Sequence, residues 1–254
     1  MGMGYIERRV KAGKTIEVER YYSPRYYPRG ERRRRKERLT TEQQRKVNSR
    51  LRAKKLRWLI NANFGYGDHH LDMGYVRNEY EELRSTEQMK RDADAFLRKL
   101  RALYKKHGSA FKWVHIMEVG KRGARHHHFV INHCDAVSTA DIQRIWNRVY
   151  EGRSMIHFSP LDSTGNYAQL ADYLIKYTDA HMDQPDGLMK RAYRASRNLK
   201  KPVVEKHVIT RRDVLQEPNR VRGYYIDKNS VQRGFYAPEY GGFEFLRFIL
   251  VRLE

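Results

Sequence analysis

The feature that most constrains this chain is residues 125–132, where three consecutive histidines precede a run of apolar residues. The apolar and β-branched composition predicts a strand, and side chains alternate between the two faces of a strand. His126 and His128 would therefore share one face, while His127 and Phe129 would share the other. Two adjacent imidazoles are suitable ligands for a divalent metal ion, provided that a neighbouring element supplies a third donor.

A second predicted strand at residues 112–120 precedes this one, and the intervening Gly-Lys-Arg-Gly sequence at 120–123 is typical of a hairpin turn. The hairpin would bring Glu118 to the histidines as the third donor. Two histidines and one carboxylate leave several coordination positions of a divalent ion open to water or phosphate oxygens. The alternative interpretation is that the histidines lie on the surface or contact phosphate without a metal.

A predicted helix further along the chain carries a second group of reactive side chains. Tyr173, Lys176 and Tyr177 are spaced at i, i+3 and i+4, and so lie on one helix face. A phenol one turn from an ammonium group is plausible nucleophile chemistry, because the cation favours the phenolate as it forms. In the alternative interpretation, both tyrosines are half-buried core residues and Lys176 extends to solvent.

The chain is strongly basic, with 52 Lys and Arg and a formal net charge of +22, so nucleic acid is the expected partner. The first 55 residues contain 19 Lys and Arg and 6 Glu. Residues 21–30 interleave tyrosine, arginine and proline, which predicts that residues 1–39 form a flexible arm that binds phosphates and stacks on unpaired bases. The alternative is a disordered tail that only increases solubility. The candidate DNA-binding residues are Arg32, Arg33, Arg34, Arg35, Lys54, Lys55, Arg122, Arg125, Arg194, Arg197 and Lys200.

The order of elements predicts an α+β fold, with a central antiparallel sheet of about five strands and helices packed on it. A capping-box pattern begins the helix at 85–107, which follows a helix at 40–61 and a strand at 69–76. The remaining elements are a helix at 138–151, a strand at 153–158, a helix at 167–178 and a late strand at 242–251. Whether Asp72 approaches the metal depends on which face of its strand it takes, and the sequence leaves this open.

Together these motifs resemble the HUH endonucleases, most closely the rolling-circle replication initiators of small phages, plasmids and integrated elements. The resemblance covers about residues 40–200 and implies the sheet-based, ferredoxin-like Rep fold. It divides the chain into the arm at 1–39, an endonuclease domain at 40–200, and an extension at 201–254 that adds a strand or an assembly surface.

The resemblance also implies roles for the two motifs. It assigns Mg²⁺ or Mn²⁺ binding to Glu118, His126 and His128. It assigns strand cleavage to Tyr173, with Lys176 stabilising charge and Tyr177 as a second nucleophile. The expected substrate is single-stranded DNA with an origin hairpin, and the expected partners are a host polymerase and helicase. Cleavage would leave a 5′-phosphotyrosine and a free 3′-hydroxyl, and would later be reversed to rejoin strands.

Two other functions stay open. A single-strand transposase or a conjugative relaxase would use related chemistry, although relaxases usually carry a third histidine and a tyrosine near the amino terminus. A non-catalytic nucleic-acid-binding protein would use the histidines only as phosphate contacts. Because the chain has one cysteine, Cys134, and neither a long apolar run nor a signal-peptide pattern, a cytoplasmic location without membrane contact is expected.

Overall fold

The computed structural model describes residues 4–23, 42–75, 84–120, 123–150, 154–182, 191–236 and 242–253. These residues fall into two compact units. The first is drawn from 1–46, 164–166 and 201–254, and the second from 47–163 and 167–200.

The described strands are β1 (Gly4–Ala12), β2 (Thr15–Ser23), β3 (His69–Gly74), β4 (Trp113–Val119), β5 (Arg125–Ile131), β6 (Ile156–Pro160), β7 (Arg194–Ala195), β8 (Val203–Ile209), β9 (Tyr224–Tyr236) and β10 (Phe243–Arg252). The described helices are α1 (Glu42–Asn63), α2 (Thr86–Lys106), α3 (Thr139–Tyr150), α4 (Ala168–Met182) and α5 (Arg211–Leu215).

The second unit is built on a five-stranded antiparallel sheet in the order β6-β3-β5-β4-β7. β4 and β5 form the predicted hairpin, and Gly123 has a positive φ of 76° in the connection, where glycine adopts the required conformation without strain. The predicted α+β class and central sheet are therefore confirmed. The predicted strand at 153–158 is displaced, because β6 begins at Ile156.

Helices cover both faces of this sheet. α2 and α3 pack on one face, in a core that includes Phe96, Phe129 and Trp146. α1 and α4 pack on the other face, around Val130 and Leu174. The predicted start of α2 is confirmed, because Ser85 and Gln88 form a capping box that satisfies backbone groups at the helix end.

The first unit contains a second antiparallel sheet, in the order β8-β1-β2-β10-β9. One side of it carries an apolar core of Val18, Leu246, Phe248 and Leu250, onto which Val214 of α5 packs. The late strand predicted at 242–251 is confirmed as β10, whereas β1, β2, β8 and β9 were not predicted.

This sheet corrects the prediction of a flexible arm at 1–39, because residues 4–23 are paired strands with buried side chains. It also changes the description of 201–254 as an extension, since three strands of that segment belong to the same sheet as β1 and β2. The rest of the predicted arm, including the arginines at 32–35, lies outside the described residues.

Candidate metal and tyrosine site

Three adjacent strands of the second unit bring the predicted metal ligands to one face and one end of the sheet. His126 pairs with Glu118 on one side and with Gly74 on the other, and His128 pairs with Asp72. Directly opposed residues of antiparallel strands project to the same side of a sheet. Glu118, His126, His128 and Asp72 therefore share a face.

Glu118 and His128 form the most closely joined pair of the site. The Oε2 atom of Glu118 lies 2.6 Å from Nε2 of His128, and the residues are 7% and 2% exposed. A buried carboxylate is costly without a donor, and here the imidazole N–H provides one. The pair is consequently held together in a largely water-free position.

His126 is bonded to Asp72 rather than to Glu118. Its Nδ1 lies 3.1 Å from Asp72 Oδ1, and this hydrogen bond raises the pKa of His126 above its ordinary value although burial opposes the shift. Burial alone would raise the pKa of Asp72, but the hydrogen bond from His126 and the nearby histidines lower it overall. Asp72 is thus a second carboxylate on the ligand face, the position that the sequence left open.

The backbone beneath His126 explains the glycine at position 74. A Cβ atom at Gly74 would lie 3.3 Å from Cε1 and 3.4 Å from Nδ1 of the His126 ring. The imidazole therefore lies closely over the β3 backbone, which brings Nδ1 to Asp72. A Cβ atom at position 74 would require the ring to shift by a few tenths of an ångström.

His70 supports His128 from the side opposite Glu118. His70 Nε2 lies 3.2 Å from His128 Nδ1, and burial, together with the nearby His128, lowers the pKa of His70 to about 4. In the tautomer in which His128 donates from Nε2 to Glu118, its Nδ1 accepts a hydrogen bond from His70. The sequence analysis did not select His70, although its i, i+2 spacing with Asp72 places both on one strand face.

Tyr173 of α4 lies against these histidines. Its ring centre is 5.7 Å from that of His128 and 6.3 Å from that of His70, both in edge-on geometry, and the residue is 41% exposed. The neighbouring Leu174 and Ile175 are buried in the core, which fixes the rotation of the helix. Tyr173 is therefore both near the cluster and open to solvent.

The other two residues of the tyrosine motif are also on α4. Lys176 is exposed and follows Tyr173 by three residues, so it lies on the neighbouring turn. Tyr177 belongs to the helix, but its side chain lies outside the described part of the structure.

The types of donor at this site fit a divalent ion, but the candidate ligand side chains are hydrogen-bonded to one another. Two imidazoles and two carboxylates on one sheet face are a donor set that accepts Mn²⁺ well and Mg²⁺ less tightly. Within the described ranges, no three His, Cys, Asp or Glu side chains are arranged as they stand to hold a metal. Metal binding would require the Glu118–His128 hydrogen bond to be replaced by metal bonds, whereas His126 could bind through Nε2 and keep the hydrogen bond from Nδ1 to Asp72.

The middle histidine belongs to a different network, on the opposite face of the sheet. His127 Nδ1 lies 3.0 Å from His115 Nε2, and His127 Nε2 lies 2.7 Å from the Tyr75 hydroxyl, which donates to Asp92 at 2.9 Å. Both histidines are fully buried, and burial is the main cause of their lowered pKa values, about 3 for His127. The prediction that His127 lies on the face opposite His126 and His128 is confirmed.

The predicted DNA-binding residues are distributed unevenly. Lys54 is only 8% exposed, with Nζ 5.3 Å from the centre of the Trp58 ring, so it differs from the expected surface contact. Arg125 projects toward α2, where its guanidinium contacts Thr86 and Met89. Lys200 is exposed. Lys55, Arg194 and Arg197 line one cavity, and Arg122 lies outside the described residues.

Comparison with known families gives one match. Residues 75–182 match the family described as replication-associated protein ORF2/G2P. The matched segment contains Glu118, His126, His128 and Tyr173, and the expected resemblance to replication-associated proteins is confirmed. Comparisons with curated proteins and with solved structures give no match. Among the described residues, no helix has the length and apolar character needed to span a bilayer.

Proposed function

We propose that this chain, similar over residues 75–182 to replication-associated proteins, starts replication by cutting one DNA strand with Tyr173. The observation that carries the proposal is the position of the Tyr173 ring, 5.7 Å from the ring of His128, beside two carboxylates on the same sheet face. A nucleophile next to a cluster of candidate metal ligands is the arrangement that phosphoryl transfer requires.

The reaction exchanges one phosphodiester for another. The Tyr173 oxygen bonds to phosphorus and loses its proton, while the bond from phosphorus to the 3′ oxygen breaks and that oxygen gains a proton. The products are a 5′-phosphotyrosine and a 3′-hydroxyl that a polymerase extends. Because the covalent link retains the phosphodiester, rejoining needs no ATP.

Each of the side chains in the site would have a distinct role. Glu118, His126 and His128 would hold Mg²⁺ or Mn²⁺, which when bound withdraws charge from the phosphate oxygens. Asp72 fixes the ring of His126, and His70 fixes the ring of His128. Lys176 is a cation one turn from Tyr173 and stabilises the phenolate and the charge on the phosphate. Tyr177 is the candidate second nucleophile for rejoining.

The experiment is covalent capture of DNA. The purified chain is incubated with Mn²⁺ and labelled single-stranded fragments that tile the DNA flanking its coding sequence, and a denaturing gel is run. Wild-type protein should form an adduct that peptide mapping places on Tyr173, and Tyr173→Phe should abolish it. Tyr66→Phe is the matched control, because Tyr66 is 82% exposed and precedes the far end of β3.

The competing function, nucleic-acid binding without catalysis, gives a different result. It predicts DNA binding that EDTA does not change and no adduct with any fragment. An adduct that persists in Tyr173→Phe and disappears in Tyr177→Phe would transfer the role of first nucleophile to Tyr177.

A further inference from the structure

A large cavity in the second unit lies apart from the histidine cluster. Its volume is about 1190 Å³, and its walls come from α1, α2, the segment 109–113 and the segment 191–198. Sites for small molecules typically occupy about 300–1,000 Å³, so this cavity has room for an extended ligand.

The lining of the cavity is strongly basic. α1 contributes Arg52 and Lys55, α2 contributes Arg101 and Lys105, and the segment 191–198 contributes three further arginines. No carboxylate belongs to the lining, although Asp94 outside it binds Arg194 at 2.6 Å. Cations from three separate parts of the chain thus converge on one concave surface, where their fields reinforce one another.

The segment 191–198 is held firmly against the sheet. The amide N–H of Trp113 donates to Ser196 Oγ at 3.1 Å, and the amide N–H of Ser196 donates to the Trp113 carbonyl at 2.9 Å. The Asn198 side chain donates to the Phe111 carbonyl at 3.1 Å. The arginines on this segment are therefore presented from an ordered backbone, which reduces the entropy lost when a ligand binds.

The cavity and the histidine cluster are at opposite ends of β4. Trp113 begins the strand and lines the cavity, whereas Glu118 is five residues further along. At about 3.3 Å per residue, the two ends are about 17 Å apart. A ligand that occupies both sites must therefore be an extended chain.

We infer that this cavity binds single-stranded DNA at a point remote from the scissile phosphate. Its cations match consecutive phosphates, and Tyr193, which also lines it, offers a partly exposed ring on which a base can stack. The inference takes its ligand from the proposed function but is tested by binding alone.

The test compares two double variants of the full chain, each of which replaces two basic residues of α2 by glutamate. Arg101→Glu with Lys105→Glu alters the cavity, and Arg91→Glu with Lys99→Glu alters exposed α2 positions outside it. Binding of a labelled single-stranded oligonucleotide of about 30 nucleotides is measured by fluorescence anisotropy in EDTA over a series of salt concentrations. EDTA prevents metal-dependent cutting during the titration.

The cavity variant should bind about 10-fold or more weakly, and its slope of log affinity against log salt should fall by about 1.4, as loss of two phosphate contacts on a single strand predicts. The control variant should lose about threefold or less. Equal losses in the two variants would show a general charge effect and overturn the inference. The same holds if a duplex of the same sequence proves the tighter ligand and shows the larger loss in the cavity variant.

Cutting assays separate this inference from the proposed function. If the wild-type chain forms a tyrosine adduct while the two double variants bind alike, the cavity assignment fails and the nuclease assignment stands. If no adduct forms but the cavity variant alone loses binding, the reverse is true.

Discussion

His70 Nε2 lies 3.2 Å from Nδ1 of His128, on the side of the His128 ring opposite Glu118. The ring of His128 is therefore hydrogen-bonded on both sides, to Glu118 and to His70. His128 could bind a metal through Nε2 only with its proton on Nδ1, and His70 would then accept that proton in a hydrogen bond. His70 can serve in either direction because its lowered pKa keeps it neutral.

We therefore predict that His70→Phe weakens metal use. The Mn²⁺ concentration that gives half-maximal adduct formation should rise about 10- to 100-fold, the usual effect of removing a group that orients a metal ligand. His70→Gln retains a hydrogen-bonding side chain and should recover part of the loss. An unchanged Mn²⁺ dependence in His70→Phe would show that His70 does not orient His128.

Lys176→Met should slow adduct formation at saturating metal by up to about 10²-fold. Loss of a group that stabilises developing charge commonly costs about 10²- to 10³-fold, and the exposure of Lys176 places it at or below the lower end. Lys176→Arg keeps the charge and should retain most of the rate. The rate is measured under single-turnover conditions, with DNA binding measured separately so that a weaker complex is not mistaken for a slower reaction.

The buried His115 predicts a loss of stability in acid. Burial, with a contribution from His127, lowers its pKa well below the ordinary value of 6.5, so the unfolded chain gains a proton below that pH while the folded chain does not. Stability from this group is complete above pH 6.5 and decreases as the pH falls.

The measurement is the free energy of unfolding in denaturant at several pH values. His115→Met removes the titrating group and should reduce the loss of stability between pH 6.5 and pH 5. The variant should also be less stable than the wild type at neutral pH, because His127 loses a hydrogen-bond partner. Parallel pH curves for the two proteins would contradict the prediction.

Leu100→Ala should destabilise the second unit by about 2–5 kcal/mol, because Leu100 lies fully buried on the core-facing side of α2 and its truncation leaves a cavity. Leu51→Ala, at a position that is 45% exposed, should change stability by about 0.5 kcal/mol or less. All three tryptophans of the chain, Trp58, Trp113 and Trp146, belong to this unit, so tryptophan fluorescence follows its unfolding specifically.

The central sheet and its ligand face could be predicted because the information is local. Alternation within β5 and a glycine-bearing turn determine which side chains share a face. The contributions of His70 and Asp72 could not be derived in the same way, since they depend on how β3 pairs with β5. A strand separated by a long helix carries no local signal of its register.

The second sheet was missed for a different physical reason. The excess of Lys and Arg in the first 55 residues, together with the run of tyrosine, arginine and proline at 21–30, suggested an arm that cannot bury its charges. In the structure these charges face one another across strands, as Glu7 with Arg20 at 2.7 Å and Arg8 with Glu19. Cross-strand ion pairs are not apparent from either strand alone, and the apolar side gains its core only when β10 joins.

The position of β2 between β1 and β10 also determines when each part of the protein can form on the ribosome. Every strand of the sheet that carries the histidines has been synthesised once Ala195 emerges, whereas β2 lacks one neighbour until the chain reaches Arg252. The histidine-bearing unit can thus be complete while the amino-terminal hairpin still waits for its partner, and a ribosome that stops before β10 would release a chain with β2 exposed along one edge.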